Sequence, residues 1–333
     1  GSVLGGSAHA LIVSPSGAGG DLIEIGGIDW NLSTALVTQV AGQPKVPDIV
    51  IGSAVQAYAQ GAISVFNDDG GNGIGDGGLG PTDEWTFVTG FKEDVLNLAP
   101  GVIIPPNPAP VGQTALFGTS AGGDNYFRIY HSPKNSNNLT GGGFADGTLV
   151  LEGVIDPVDF GDGTGISVFT ITSFNTNNLD TFNVDNYPAI DTIVGQGSGN
   201  LAIRVTGQNN AYIKQNLIDT TLEFPLIYGT QQNLPYDKTN PSSCMWNGSM
   251  LIVAAGSGGG GSCGGGPTGS IGAVNGLPTG AFPGFVAAPN EVLQLDGSTS
   301  FPVIPSPSPL ALTGAGLIAF GATRLSRRKK AAA

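Results

Sequence analysis

The feature that most restricts this chain is its hydrophobic period. Apolar residues alternate with polar ones at a spacing of two in several stretches, whereas the 3.6-residue spacing of an amphipathic helix is scarce. A strand places successive side chains on opposite faces, so a period of two assigns one face to a core. In EWTFVTGF, Trp85, Phe87 and Phe91 share a face. In NYFRIYHS, Phe127 and Ile129 share one face, with Arg128 and Tyr130 on the other. In LAIRVTG, Leu201, Ile203 and Val205 alternate with Ala202, Arg204 and Thr206. GTLVLEGVI and ISVFTITSF are apolar on both faces, as central strands of a packed sheet are.

Segments rich in turn-forming residues separate these runs, at 67–84, 100–113, 132–147 and 175–200. Glycine is 55 of 333 residues, and the apolar 40% is still enough for a core. The expected fold is all-β: an antiparallel β-sandwich of jelly-roll type, one large or two abutting, across 11–300. GSGGGGSCGGGPTGS at 256–270 is expected to be a flexible loop, and the proline-rich 301–309 a semi-rigid spacer.

Charge excludes some partners. The chain carries 12 basic and 25 acidic residues, and five of the basic ones (Arg324, Arg327, Arg328, Lys329, Lys330) fall in the last ten positions. A body this acidic is repelled by nucleic acid and by anionic lipid. At the other end, Ala8-His9-Ala10 has the small-x-small pattern read by signal peptidase, so 1–10 is expected to be a signal-peptide remnant, with the mature chain starting at Leu11. Outside the cytoplasm, Cys244 and Cys263 are expected to form a disulfide, which would stabilise by about 3 kcal/mol on a chain-entropy estimate.

The tail has three parts. After the prolines, residues 310–323 read LALTGAGLIAFGAT, without charge and shorter than the roughly 17–25 residues of a stable span. The basic cluster then holds its end on the cytoplasmic side. This pattern predicts a short hydrophobic helix over 310–333 that enters the membrane transiently.

The tail resembles the PEP-CTERM sorting signal of exopolysaccharide-producing Gram-negative bacteria. The motif falls on Pro305-Ser306-Pro307 or Pro307-Ser308-Pro309, with serine where the family has glutamate, and the basic end includes Arg327 and Arg328. GGIDWNLSTALVTQ, FRIYHSPKNSNNLTGGGFADGTLVLEGVI, DNYPAIDTIVGQGSGNLAIRVTG and IGAVNG resemble the flocculation-associated members of that family; the Gly/Cys segment at 256–266 departs from them. The resemblance implies an exosortase-type processing enzyme, exopolysaccharide as partner and a role in cell aggregation. It carries over no catalytic residue.

Candidate sites are few. GTSAG at 118–122 fits a nucleophile elbow at Ser120, but no helical pattern follows and His131 is the one downstream histidine, so a glycine turn is expected. NDDGGNGIGDGG spaces oxygen ligands as calcium loops do, with Asp68, Asn72 and Asp76 as candidate ligands, Gly70 at the third position and Asp69 out of phase; a solvated hairpin loop is the alternative. Asp156, Asp159 and Asp162 form a weaker acidic cluster. Trp30, Tyr126, Tyr130, Tyr187 and Tyr236 are available as sugar platforms, though aromatics at such spacings more often fill a core. These features point to a secreted matrix protein without catalysis. A calcium-dependent lectin-like module and a fibre subunit self-associating by strand exchange are the alternatives.

Overall fold

The computed structural model describes residues 8–44, 49–75, 79–103, 110–137, 141–175, 192–229, 244–249, 251–253, 290–301 and 304–305. Every regular element among them is a strand. The N-terminal part gives β1 (Ala8–His9), β2 (Leu11–Val13), β3 (Ile23–Ile25), β4 (Gly27–Gln39), β5 (Ala54–Asn67) and β6 (Asp83–Ala99). Then come β7 (Val102–Ile103), β8 (Pro110–Val111), β9 (Thr114–Ser120), β10 (Tyr126–Pro133), β11 (Thr148–Ile155) and β12 (Ile166–Asn175). The rest are β13 (Thr192–Gln208), β14 (Thr221–Gly229), β15 (Cys244–Trp246), β16 (Leu251–Val253), β17 (Asn290–Ser300) and β18 (Ile304–Pro305). The all-β expectation holds. The C-terminal helix, the 256–270 loop and positions Ser306, Pro307, Arg327 and Arg328 lie outside the described residues.

Ten of these strands make one antiparallel sheet, and its hydrogen bonds return to their starting strand. Along one wall the order is β6-β5-β4-β17-β14-β13. The two flanking strands, each 17 residues long, then share a split wall. The first half of β6 pairs with β10 and its second half with β9. In the same way β13 pairs with β12 and then β11. Because β9 pairs with β12 and β10 with β11, the ring closes with eight strands at either level. Each of the ten strands therefore has a partner on both sides, the condition that removes a free edge.

The break in the split wall is stitched by side chains. Asn125 stands in for backbone: its Nδ2 donates to the Ile155 carbonyl (2.9 Å), and its Oδ1 accepts from the Ile155 N–H (2.7 Å). The Asp124 N–H donates to Gln56 Oε1, while Gln56 Nε2 donates to the Asp124 carbonyl. Outside the ring, the β15–β16 hairpin is held by Arg128. Its guanidinium pairs with Glu152 at 2.9 Å and donates to the Gly248 carbonyl at 2.7 Å.

The two halves of the barrel are filled differently. At the β10–β11 level the alternating positions carry Trp30, Phe66, Trp85, Phe87, Phe127 and Phe224, each at most 1% exposed. Phe87 lies 4.8 Å from Trp30 and 5.1 Å from Phe224, ring centre to ring centre. A Cβ on Gly61 would stand 2.6 Å from Phe87 Cε1, so glycine there lets the ring approach the strand. The N-terminal segment plugs this end: Leu11 and Val13 are buried, and Trp85 Nε1 donates to the Pro15 carbonyl at 2.8 Å. The faces read from alternation hold, with Trp85, Phe87, Phe91, Phe127, Ile129, Leu201, Ile203 and Val205 all in the core.

At the β9–β12 level the inward positions are small. Strands β4 and β5 offer Ala35, Ala57 and Ala59, and β13 offers Gly195, Gly197 and Gly199. Residues 192–200, expected to be turn, are thus strand. Glycine at alternate positions signals a turn by composition, but here β12 and β14 supply hydrogen bonds on both sides and the missing side chains leave room. Phe169 and Tyr228 stand opposite Gly197 and stack across it, with ring centres 6.3 Å apart and planes 2° apart; a Cβ on Gly197 would meet Tyr228 at 2.5 Å.

Candidate functional site

The small inward residues leave a cavity of about 350 Å³ at the β9–β12 end. Its wall is mostly apolar, with Phe91, Phe117, Phe169, Leu226, Leu293 and Leu295 around the alanines. The lining continues to Ile49, Leu98 and Gln113 at the barrel end, next to the exposed Val50 and Ile51. This mouth is opposite the aromatic end, where β17 finishes and the chain leaves towards β18.

One carboxyl stands inside. Glu93 follows the Phe91 parity along β6, so it points inward and is 7% exposed. Ser167 Oγ on β12 donates to Glu93 Oε1, and among the described residues no donor takes Oε2. Its neighbours Lys92 and Asp94 lie on the opposite face and pair with each other at 3.2 Å. From β14, Tyr228 faces it; the phenol O–H donates to the Val168 carbonyl at 3.0 Å. From β5 and β9 the opposing residues are Val55 and Thr119, and Thr119 is spent on the Asp156 carbonyl. Burial pushes the Glu93 carboxyl up to about 7, against a smaller downward pull from the Ser167 hydroxyl. Burial also raises the Tyr228 phenol, with the Glu93 charge adding to the shift. This pocket was missed in the sequence, yet it leaves one trace there: Glu93 sits between Phe91 and Val95 on the apolar side of the alternation.

The positions expected from sequence are dispersed. Ser120 ends β9 opposite Lys92, and His131 lies on β10 opposite Trp85. Those partners are seven residues apart on β6, so at roughly 3.3 Å per residue Ser120 and His131 are about 23 Å apart and form no dyad. His131 instead meets Tyr212, whose hydroxyl is 3.2 Å from Nδ1, and burial lowers its pKa despite the nearby Asp83.

Asp68 turns the β5–β6 loop on itself. Its Oδ1 accepts the N–H groups of Gly70 and Asn72, both at 2.8 Å, and Asn72 Nδ2 reaches its Oδ2 at 3.1 Å. These bonds, led by the Asn72 N–H, hold the exposed Asp68 carboxyl below its usual value. Asp76 lies outside the described residues. Asp68 and Asn72 are therefore brought together, but donors already surround the carboxylate that calcium would need.

In the 156–165 loop, Asp159 caps the Gly161 N–H, Asp162 caps Thr164, and Asp156 pairs with Arg204 at 3.2 Å. No group of three or more acidic, Cys or His side chains with metal-site geometry occurs among the described residues. The same loop presents Phe160, 69% exposed, between Asp159 and Asp162. Of the aromatics considered as sugar platforms, Trp30 is core and donates to Thr299 Oγ1, Tyr126 and Tyr130 are covered on the outer face, and Tyr187 and Tyr236 lie outside the described residues.

Ala8 pairs with Pro305 and His9 with Ile304, bringing the expected signal-cleavage segment beside the start of the sorting motif; the Ala10 carbonyl accepts from Gln215. Cys244 begins β15, and Cys263 lies outside the described residues, so the disulfide expectation lies there too. No protein-family model, no characterised protein and no solved structure matches the chain.

Proposed function

We propose that this is a secreted, surface-retained structural protein of an exopolysaccharide matrix, of the flocculation-associated PEP-CTERM kind, which promotes cell aggregation without catalysis. The observation that carries the reading is the three-part tail: a proline spacer, fourteen uncharged residues at 310–323, and a basic end on an otherwise acidic chain. In this reading an exosortase-type enzyme acts at Pro305–Pro309 while the tail lodges in the membrane as a short hydrophobic helix. The ring is taken as flattened into two facing layers, in the manner of a jelly-roll sandwich. Closure of the main ladder favours contacts through loops over fibre growth by edge addition, because no long edge of that ladder is free. Phe160, exposed and flanked by carboxylates, is the group suited to lie against a sugar ring.

Fusing residues 300–333 to a secreted reporter tests the sorting role. Retention at the envelope with cleavage near Pro305–Pro309 is expected; a reporter that is neither retained nor cut removes the proposal. A calcium-dependent, lectin-like variant of this reading would have Asp68 exchange the N–H donors of Gly70 and Asn72 for the ion. It requires heat on calcium titration of the full chain that Asp68→Ala abolishes.

A further inference from the structure

The hollow half of the barrel has a shape, a lining and a polar group that together describe a ligand. An eight-stranded ring is wide enough either to be filled by side chains or to hold one small molecule. Both solutions occur in this chain: aromatic rings fill one level, while alanine and glycine clear the other. The cleared volume, about 350 Å³, is roughly twice the ~150 Å³ that accommodates one benzene ring. Apolar residues also surround the mouth, with Val50 56% and Ile51 62% exposed beside Ile49.

Glu93 is out of place in such a cavity unless it has a partner. A buried carboxylate is costly without a counter-charge and hydrogen bonds. Its own strand supplies none, since Lys92 is turned away and paired with Asp94. Ser167 supplies one hydrogen bond, to Oε1. Tyr228 faces the site with its proton committed to the Val168 carbonyl. The complement that the described residues do not supply is a cation small enough to enter an apolar channel.

We propose that this cavity binds a slim apolar molecule with a single protonated amine head: the hydrocarbon part lies among Ala57, Ala59, Phe91, Phe117 and Leu293, and the ammonium group is held by Glu93 Oε2 beside Ser167. The site is independent of the sorting tail and of any matrix role, and it opens at the end of the barrel opposite the end of β17.

The test uses the full chain and three probes of equal length, n-octylamine, n-octanol and octanoate, at about pH 8, read by calorimetry and by the unfolding temperature. Octylamine should bind once per chain and raise the unfolding temperature, with octanoate at least tenfold weaker, as a charge-assisted hydrogen bond requires. Glu93→Gln should leave octanol binding in place and remove the preference for the amine. Ala57→Phe, which fills the cavity from its wall, should lose all three while keeping a cooperative unfolding transition. Absence of saturable binding by all three probes overturns the proposal, as does equal affinity for octylamine and octanoate. A preference that survives Glu93→Gln, or wild-type affinity in a folded Ala57→Phe protein, overturns it as well.

Discussion

Replacing Glu93 by glutamine isolates the cost of a carboxyl inside the barrel. The amide keeps the shape and an acceptor for the Ser167 hydroxyl but cannot ionise. In the folded chain the carboxyl titrates at about 7, against an ordinary value of 4.5, and the cause is burial. The folded state therefore holds its proton more tightly than the unfolded one. The stability this contributes is fully present below about pH 4.5 and is lost as pH rises through about 7. At about 1.4 kcal/mol per unit, the separation corresponds to about 3 kcal/mol, of which roughly 2.5 falls between about pH 5 and pH 8.5. Denaturant unfolding of both proteins across that range measures it. The wild type should lose that amount relative to Glu93→Gln, the variant becoming the more stable protein at the alkaline end. A difference between the two that stays constant from pH 5 to pH 8.5 would refute the burial of this carboxyl, and with it the inward parity of β6.

Three further outcomes follow from the same structure. Phe87→Ala, in the filled half and in contact with Trp30 and Phe224, should destabilise the chain by about 3–5 kcal/mol in denaturant unfolding, more than Phe91→Ala beside the cavity, where space already exists. His131, whose pKa is lowered by burial, contributes stability that is present above its ordinary 6.5 and lost as pH falls below it; a thermal-unfolding series should show His131→Gln removing that acid-side slope. If Cys244 and Cys263 are bridged, intact mass after alkylation without reductant should show no modified thiol, and reduction should lower stability by about 3 kcal/mol.

Much of the sheet was legible because alternation is a local signal. The residues that point inward in EWTFVTGF, NYFRIYHS and LAIRVTG do so for the reason the period gives: a strand with one buried face must put its apolar set there. The same rule carried Glu93 inward, where the apolar neighbours made it easy to overlook. TIVGQGSGN was misread because glycine marks turns by composition, whereas its pairing on both sides depends on β12 and β14. Trp30, Tyr126 and Tyr130 look like available platforms in a sequence and are covered in the fold by partners such as Thr299 and Trp246, each more than a hundred residues away.

The sequence alone determined the element type, the inward set of most strands, the acidity of the body and the composition of the tail, since each depends on neighbours a few residues apart. Tertiary structure decided that the ladder closes, that one half is filled and the other hollow, and that Ser120 and His131 stay apart while Glu93, Ser167 and Tyr228 meet. Those facts depend on pairings such as β4 with β17, more than two hundred residues distant, whose register no local period encodes.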